Sequence, residues 1–146
     1  MCQQTNKAIK YAAVIGVLVI IFVLTLNFKI IVISGQSMAP TFTDHQIVIL
    51  YKQNQSIAKD DVIVFVHDGK EYIKRVVATG GEKVEQKNGA VYINNIKTSY
   101  PAVENKDPFV LKQDEYYVIG DNYKNSNDSR ELGYVPLSEI LGVVLQ

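Results

Sequence analysis

The sequence predicts a mainly β protein that begins with one transmembrane helix. Two observations carry this prediction: a long apolar run at residues 9–28, and short apolar runs beyond residue 40 that have a period near two and are separated by turn residues. Of the 146 residues, about 110 follow the long run, which is enough for one domain with its own core. We therefore expect one β domain, built of coiled sheets or a small barrel, after an N-terminal helix.

The N-terminal run, IKYAAVIGVLVIIFVLTLNF, carries a single charge, Lys10. At a helical rise of about 1.5 Å, its residues span about 30 Å, the thickness of the hydrocarbon layer of a membrane. A cleaved signal peptide and a buried core helix are the alternatives. No small-residue cleavage site followed by a polar start appears after the run, which favours an anchor. Lys7 before the run and Lys10 at its N-terminal edge, against Lys29 after it, favour a cytoplasmic N-terminus.

These features predict a single-pass protein of the cell membrane with three parts. They are a short cytoplasmic N-terminus at residues 1–8, a transmembrane anchor at 9–28 and an extracytoplasmic β-rich domain at 29–146. Beyond residue 36 the chain has 15 acidic against 12 basic residues, a net charge of −3, which argues against a nucleic-acid-binding surface. Cys2 is the only cysteine, which excludes an intramolecular disulfide and a cysteine-based metal site.

The β domain can be divided into strands from the positions of its apolar and turn residues. The dipeptide Asn88-Gly89 tolerates positive φ and predicts a two-residue hairpin turn. Residues 98–108, which include Pro101 and Pro108, predict a surface connection. Strands are predicted at 47–51, 62–66, 72–77, 84–87, 90–93, 116–119 and 140–145, with a turn at 67–70.

The stretch SGQSMAPT at residues 34–41 predicts a shaped loop just after the apolar run. Gly35 and Pro40 both disfavour a helix and a central strand. Ser37 is a candidate nucleophile, but a serine hydroxyl needs a neighbouring base to take its proton. The bases that the sequence offers are a histidine, His67, and a lysine, Lys74.

Each candidate base has a less functional alternative. His67 lies beside Asp68 in the predicted turn, where a solvated histidine is the simpler interpretation, and His45 beside Asp44 is weaker still. Lys74 lies in the strand YIKRVV, and burial of its amine would favour the neutral form. The alternative is a solvated Lys74 next to an Arg75 that is buried in a salt bridge, and this segment alone favours that alternative.

A third polar segment, GDNYKNSNDSR, spans residues 120–130. It places Ser126 among turn residues. Asp128 and Arg130 are two positions apart, so in an extended piece they would point the same way and form a charge-assisted pair.

Taken together, these pieces resemble the type I signal peptidases of Gram-positive bacteria. The anchor, SGQSMAPT, DDVIVF, YIKRVV followed by GGE, and GDNYKNSNDSR occur in that family's order and cover most of the chain. The resemblance implies a β catalytic domain of signal peptidase type and a serine protease that uses a Ser-Lys dyad. It implies that Ser37 is the nucleophile and Lys74 the general base.

The same resemblance implies supporting roles for four residues of the third segment. Ser126 corresponds to the hydroxyl that orients the lysine amine, Asp128 and Arg130 to an ion pair that holds the loop, and Asp121 to a residue that supports the site. No metal or other cofactor is implied.

The resemblance also implies how substrate binds. The substrates would be secretory preproteins with small residues at positions −1 and −3 of the cleavage site, and Met38 and Ile33 would line the substrate cleft near the strand at 62–66. The Ser37 N–H would bind the oxyanion, without help from a side chain at Gly35. The lipid bilayer would hold enzyme and substrate together.

Two other functions compete with this one. A self-cleaving repressor would share the dyad but carries a DNA-binding part, which an apolar N-terminus and an acidic remainder do not supply. A non-catalytic homologue that assists the assembly of surface proteins such as pilins would usually lack the serine or the lysine, whereas this chain keeps Ser37 and Lys74.

Overall fold

The computed structural model describes residues 2–52 and 56–145. Its first element is helix α1, Cys2–Asn27, which starts earlier than the predicted anchor and ends one residue before it. Within the described part of the chain, α1 is the helix that is long and apolar enough to cross a membrane, and its apolar window, Lys10–Asn27, is not covered by the β domain. Strand β1, Phe28–Val32, follows without an intervening residue.

The rest of the chain forms two antiparallel sheets, so the prediction of a mainly β domain is confirmed. The larger sheet has seven strands in the order β1-β2-β11-β3-β4-β9-β10, and the smaller has four in the order β7-β6-β5-β8. The elements after β1 are β2 Ile47–Tyr51, β3 Val62–His67, β4 Lys70–Ala78, β5 Lys83–Lys87, β6 Ala90–Ile93, β7 Ile96–Pro101, β8 Lys106–Val110, β9 Glu115–Ile119, α2 Ser129–Leu132, β10 Val135–Pro136, a 3₁₀ helix Leu137–Glu139, and β11 Ile140–Val144.

The predicted strands all lie within or overlap observed ones. The hairpin at Asn88-Gly89 is confirmed, with φ values of 50° and 72°. The predicted turn at 67–70 is tighter than expected: Asp68 and Gly69 alone form it, and His67 pairs with Lys70 as strand residues.

The predicted surface connection at 98–108 is only partly right, because residues 102–105 connect two strands and the rest of the range belongs to those strands. It overlaps β7 and β8, the two edge strands of the smaller sheet. An edge strand needs only half of its N–H groups for pairing, so it accommodates proline. Pro101 ends β7, and Pro108 lies in β8 beside the register shift that leaves it outside the paired positions.

Strand β4 links the core to the site. It pairs with β3 along most of its length and with β9 only from Arg75 onward. From Ile73 to Ala78 its side chains are buried except that of Arg75, which is partly buried. An apolar cluster beneath the 34–41 loop joins β4 to that loop; it consists of Ile33, Met38, Phe42, Val48, Leu50, Val62, Val64, Ile73 and Val144.

Candidate active site

The loop at residues 34–41 is fixed at its start and from below. Ile33 exchanges backbone hydrogen bonds with the 45–46 turn, and Gly35 donates its N–H to Asp44 Oδ1 at 2.8 Å. Gly35 has a φ of 95°, a conformation that favours glycine. Met38 is 1% exposed and anchors the loop in the core, which leaves Ser37 partly exposed above it.

Lys74 reaches this loop from β4. Its Nζ donates one hydrogen bond to Ser37 Oγ at 2.7 Å and another to the carbonyl oxygen of Ile73 at 2.7 Å. The residue is 3% exposed. Burial lowers the pKa of Lys74 from its ordinary value of 10.5 to about 8, although the charge of Asp128 raises it. The solvated lysine that the strand segment alone favoured is therefore wrong.

Neither histidine lies beside Ser37. His67 Nδ1 is 3.0 Å from Glu139 Oε2, and His67 lies four strand positions beyond Ile63, the residue that pairs with Lys74, which corresponds to about 13 Å. His45 is exposed and pairs with its neighbour Asp44. The arrangement therefore brings Ser37 to the lysine.

The predicted pairing of Asp128 and Arg130 is present, but in a different local structure. Asp128 caps α2, so Arg130 is helical rather than extended. Arg130 Nε and Nη2 donate to the two Asp128 oxygens at 2.8 and 2.9 Å, and both residues are almost completely buried. Arg130 also donates to the carbonyl oxygens of Tyr123 and Pro101, so this pair fastens the 120–130 segment to the domain.

Ser126 has a different partner from the one expected. Its hydroxyl donates to Asp128 Oδ2 at 2.7 Å, whereas both hydrogen bonds of the Lys74 amine go elsewhere. Ser126 packs directly over Gly120, where a Cβ atom would lie 2.1 Å from Ser126 Oγ. Ser126 therefore orients Asp128, whose charge acts on Lys74.

Asp121 binds two pieces of the site together. Its oxygens accept hydrogen bonds from Arg75 Nε at 2.9 Å and Nη2 at 2.7 Å, and Thr41 Oγ1 donates to it as well. Although burial alone would raise the pKa of Asp121, the hydrogen bonds from Arg75 and Thr41 and the charge of Arg75 lower it below its ordinary value of 3.8. Sequence reasoning missed Thr41, for which the only signal was its place in the SGQSMAPT loop.

A cleft of about 430 Å³ opens beside the Ser37 hydroxyl. The residues that line it are Ile31–Ser37 on one side, Glu71–Lys74 on the other, and Val64, Asn125 and Asn127. Ile33 is among them, as expected, but Met38 is not, because it is turned into the core.

The two long walls of the cleft are strand edges. β1 pairs only with β2, and the first half of β4 pairs only with β3, so the edges that face the cleft have no strand partner among the described residues. An ion pair between Lys29 and Glu71, at 3.6 Å, joins the same two strands. Within residues 2–52 and 56–145, no group of three histidine, cysteine or acidic side chains is placed to hold a metal ion.

The chain is similar to known proteins over nearly its whole length. Residues 6–145 match the family described as signal peptidase, peptidase S26. The chain is 30% identical to signal peptidase I of Bacillus amyloliquefaciens, over 96% of this chain and 89% of that protein. It is also 30% identical to signal peptidase IB of Staphylococcus aureus, over 77% and 73%.

Among solved structures, the chain is similar to a signal peptidase I from Enterococcus faecalis V583, with 26% identity, a TM-score of 0.48, and coverage of 62% of this chain and 98% of that one. The family match and the two relatives lead to one conclusion: this chain belongs to the S26 family of signal peptidases.

Proposed function

We propose that this signal peptidase is a membrane-anchored serine endopeptidase that cleaves secretory preproteins with Ser37 as nucleophile and Lys74 as general base. The observation that carries the proposal is the hydrogen bond of 2.7 Å between Lys74 Nζ and Ser37 Oγ, made by an amine that is almost completely buried. Burial removes the water that would otherwise stabilise the ammonium form, and so makes the amine a usable base.

The lowered pKa has a direct effect on the base. With a pKa of about 8, roughly one Lys74 side chain in five is neutral at pH 7.4, against about one in a thousand at the ordinary value. The neutral amine accepts the Ser37 hydroxyl proton while Oγ attacks the scissile carbonyl carbon. The resulting ammonium then gives that proton to the leaving amine, and an acyl-enzyme remains. Lys74 next takes a proton from the attacking water and passes it to Ser37 Oγ as the acyl bond breaks, which frees the serine and releases the carboxyl terminus of the first product.

The attack places negative charge on the carbonyl oxygen, and that charge needs a donor. The Ser37 N–H suits this role, because it donates to no protein acceptor within the described ranges 2–52 and 56–145. Gly35 offers no side-chain donor. The support around the dyad comes from the Asp121–Arg75 pair and the Asp128–Arg130 pair, with Ser126 bound to the latter.

The cleft suits an extended substrate. A peptide laid between the free edges of β1 and β4 would add as a strand, and its alternate side chains would face the same wall. The positions −1 and −3 are such a pair. Ile33 and Val64 line the cleft and Met38 packs beneath the loop, so these apolar side chains would form the walls of the pockets for the two small residues.

The anchor would place this cleft at the outer surface of the bilayer, with the N-terminus in the cytoplasm and the domain at residues 29–146 outside. The bounds of α1 and the position of Ser37 only nine residues beyond Phe28 support this arrangement. An exposed apolar face of the larger sheet supports it as well: Ile30 pairs with Ile49, and Val32 with Ile47. A precursor held in the same bilayer would meet the enzyme at a raised effective concentration.

The test is cleavage of a secretory precursor with an Ala-x-Ala site by the purified full-length protein in detergent. Wild type should cut after the second alanine, and Ser37→Ala and Lys74→Ala should not. His67→Ala is the control and should cut normally. Absence of cleavage by wild type across several precursors between pH 7 and 9 would favour the non-catalytic assembly role instead. Loss of cleavage in His67→Ala while Lys74→Ala still cuts would make His67 the base in place of Lys74.

A further inference from the structure

Asn122 contacts the loop at residues 34–41 on both sides of the Ser37 Cα atom. Its backbone N–H donates to the Ser37 carbonyl oxygen at 2.9 Å, and its side-chain Nδ2 donates to the Gln36 carbonyl oxygen at 3.0 Å. A carbonyl oxygen only accepts, so the NH₂ group must be the end of the amide that faces Gln36. Among the described residues, Asn122 is not one of those that line the cleft and makes no hydrogen bond to Lys74, so its link to the chemistry is through this backbone.

The bond to Gln36 fixes the orientation of a peptide plane. The carbonyl oxygen of Gln36 and the N–H of Ser37 belong to one trans peptide and point in opposite directions. That oxygen is held from one side by Asn122 Nδ2 and by the Ala39 N–H at 3.1 Å. The Ser37 N–H must then point to the other side, where no protein group among the described residues accepts it.

We propose that Asn122 is a positioning residue for catalysis, which holds the Gln36–Ser37 peptide so that the Ser37 N–H faces the oxygen of the tetrahedral intermediate. This inference rests on the proposed function, in which Ser37 Oγ attacks the scissile carbonyl. A donor stabilises the developing oxyanion best when it is already aimed at it. Without the Asn122 amide, the Gln36–Ser37 peptide can tilt, and the Ser37 N–H no longer points at the oxyanion. Substrate binding before the attack is unchanged.

A purely structural role for Asn122 would look different. It would lower the stability of the domain and reduce every function of the site together. A role in aiming the oxyanion donor acts on the transition state alone, so it lowers kcat and leaves KM unchanged.

The experiment compares Asn122→Ala and Asn122→Asp with wild type, using the full-length protein in detergent and a peptide with an Ala-x-Ala site. Asn95→Asp is the control, since it makes the same chemical change in the turn after β6 and keeps an oxygen for Lys83 Nζ. We expect kcat to fall about 10- to 100-fold in both Asn122 variants, less than or equal to the loss of a whole oxyanion donor. KM should stay within about twofold, and the midpoint of the pH profile should not move in Asn122→Ala.

A peptide aldehyde gives an independent readout, because its adduct with Ser37 carries the same oxygen as the intermediate. Its affinity should fall by about the factor lost in kcat, and the affinity of the cleaved product peptide should not change. An unchanged kcat, a rise in KM alone, a shifted pH midpoint, or equal losses for aldehyde and product would each overturn the inference. If Asn122→Ala does not fold, Asn122→Asp decides by the same readouts except the pH midpoint. Cleavage that persists in Ser37→Ala would instead overturn the proposed function itself.

Discussion

The amine of Lys74 lies 2.7 Å from the Ser37 hydroxyl oxygen and is held there by a second bond to the carbonyl oxygen of its own neighbour, Ile73. Among the described residues, the charge of Asp128 raises the pKa of Lys74, but burial lowers it by more. A cation in this place lacks the water that it would have at the surface. Burial therefore destabilises the charged form of the amine and favours its neutral form.

The first prediction concerns the pH dependence of cleavage. Because only the neutral amine is a base, kcat/KM should rise with pH through a midpoint near the Lys74 pKa of about 8 and then level off. At pH 7 the rate should be about a tenth of the plateau. Steady-state cleavage between pH 6 and 9.5 measures it. A pH dependence that disappears in His67→Gln would contradict the prediction.

The second prediction concerns the stability cost of the buried lysine. Its folded pKa lies below its unfolded pKa, so the unfolded chain binds more protons between about pH 8 and 10.5, and wild-type stability should rise with pH across that window. Below pH 8, the full destabilisation caused by burying the Lys74 ammonium is present. Lys74→Met should therefore be inactive yet more stable than wild type at pH 7, by about 3 kcal/mol, and this gain should shrink by pH 10. Urea unfolding at both pH values tests this, and a less stable Met variant would contradict it.

The third prediction concerns the buried carboxylate. Asp128→Asn leaves Arg130 buried without its anion, which should cost about 3–5 kcal/mol of unfolding free energy. It also removes the negative charge that raises the pKa of Lys74, so the pH midpoint of the remaining activity should move to lower pH. Thermal unfolding and the pH profile measure the two effects. Asp107→Asn, which alters an exposed carboxylate in β8, should change neither; a midpoint that moves upward would contradict the electrostatic assignment.

The fourth prediction concerns the link between β4 and the loop at residues 34–41. Asp121→Asn weakens two charge-assisted hydrogen bonds from Arg75. It should lower the free energy of unfolding by about 1–3 kcal/mol at pH 7. The pKa of Asp121 is lowered in the folded protein, so its contribution is present above pH 3.8 and is lost as pH falls through the folded pKa. The difference from wild type should therefore narrow below pH 3.8. Arg75→Lys keeps the charge but not the forked geometry of the guanidinium. Its free energy of unfolding should therefore lie between those of wild type and Asp121→Asn.

The fifth prediction concerns the close packing at Gly120. A Cβ atom there would lie 2.1 Å from Ser126 Oγ and 2.7 Å from the Ser37 carbonyl oxygen. The Ser126 side chain can rotate away, but the Ser37 backbone cannot, so Gly120→Ala should displace Ser37 and reduce kcat about 10-fold or more. Gly16→Ala, whose Cβ would have no atom within 4 Å, is the matched control. Normal activity in Gly120→Ala would show that the loop can move without loss.

The elements that the sequence predicted well are those with a local cause. The strand at 47–51 is a short apolar run, IVILY, and Asn88-Gly89 has the backbone preference of a two-residue hairpin turn. Strands β7 and β8 were missed because an edge strand is mostly exposed and tolerates proline, which weakens both signals of a strand.

The site was less accessible to local reasoning. Whether Lys74 is buried depends on residues far away in the sequence, and the strand YIKRVV alone favoured a solvated amine. The assignment of Ser37 and Lys74 as a pair came from the resemblance to a family. The bond from Ser126 to Asp128 in place of Lys74 depends on how the 120–130 segment folds over Gly120, and no pattern of residue types encodes that choice.

The junction between α1 and β1 has a consequence for substrate length. Asn27 ends the helix, Phe28 begins the strand, and Lys52 fastens the junction through its backbone N–H to Asn27 O and its Nζ to Thr25 O. No residue separates α1 from β1, so the end of α1 is joined directly to the strand that leads to Ser37. In the proposed orientation, this direct connection sets how far Ser37 lies from the membrane. A precursor whose cleavage site lies too near to its own apolar segment, or too far from it, would present the wrong peptide bond to the serine.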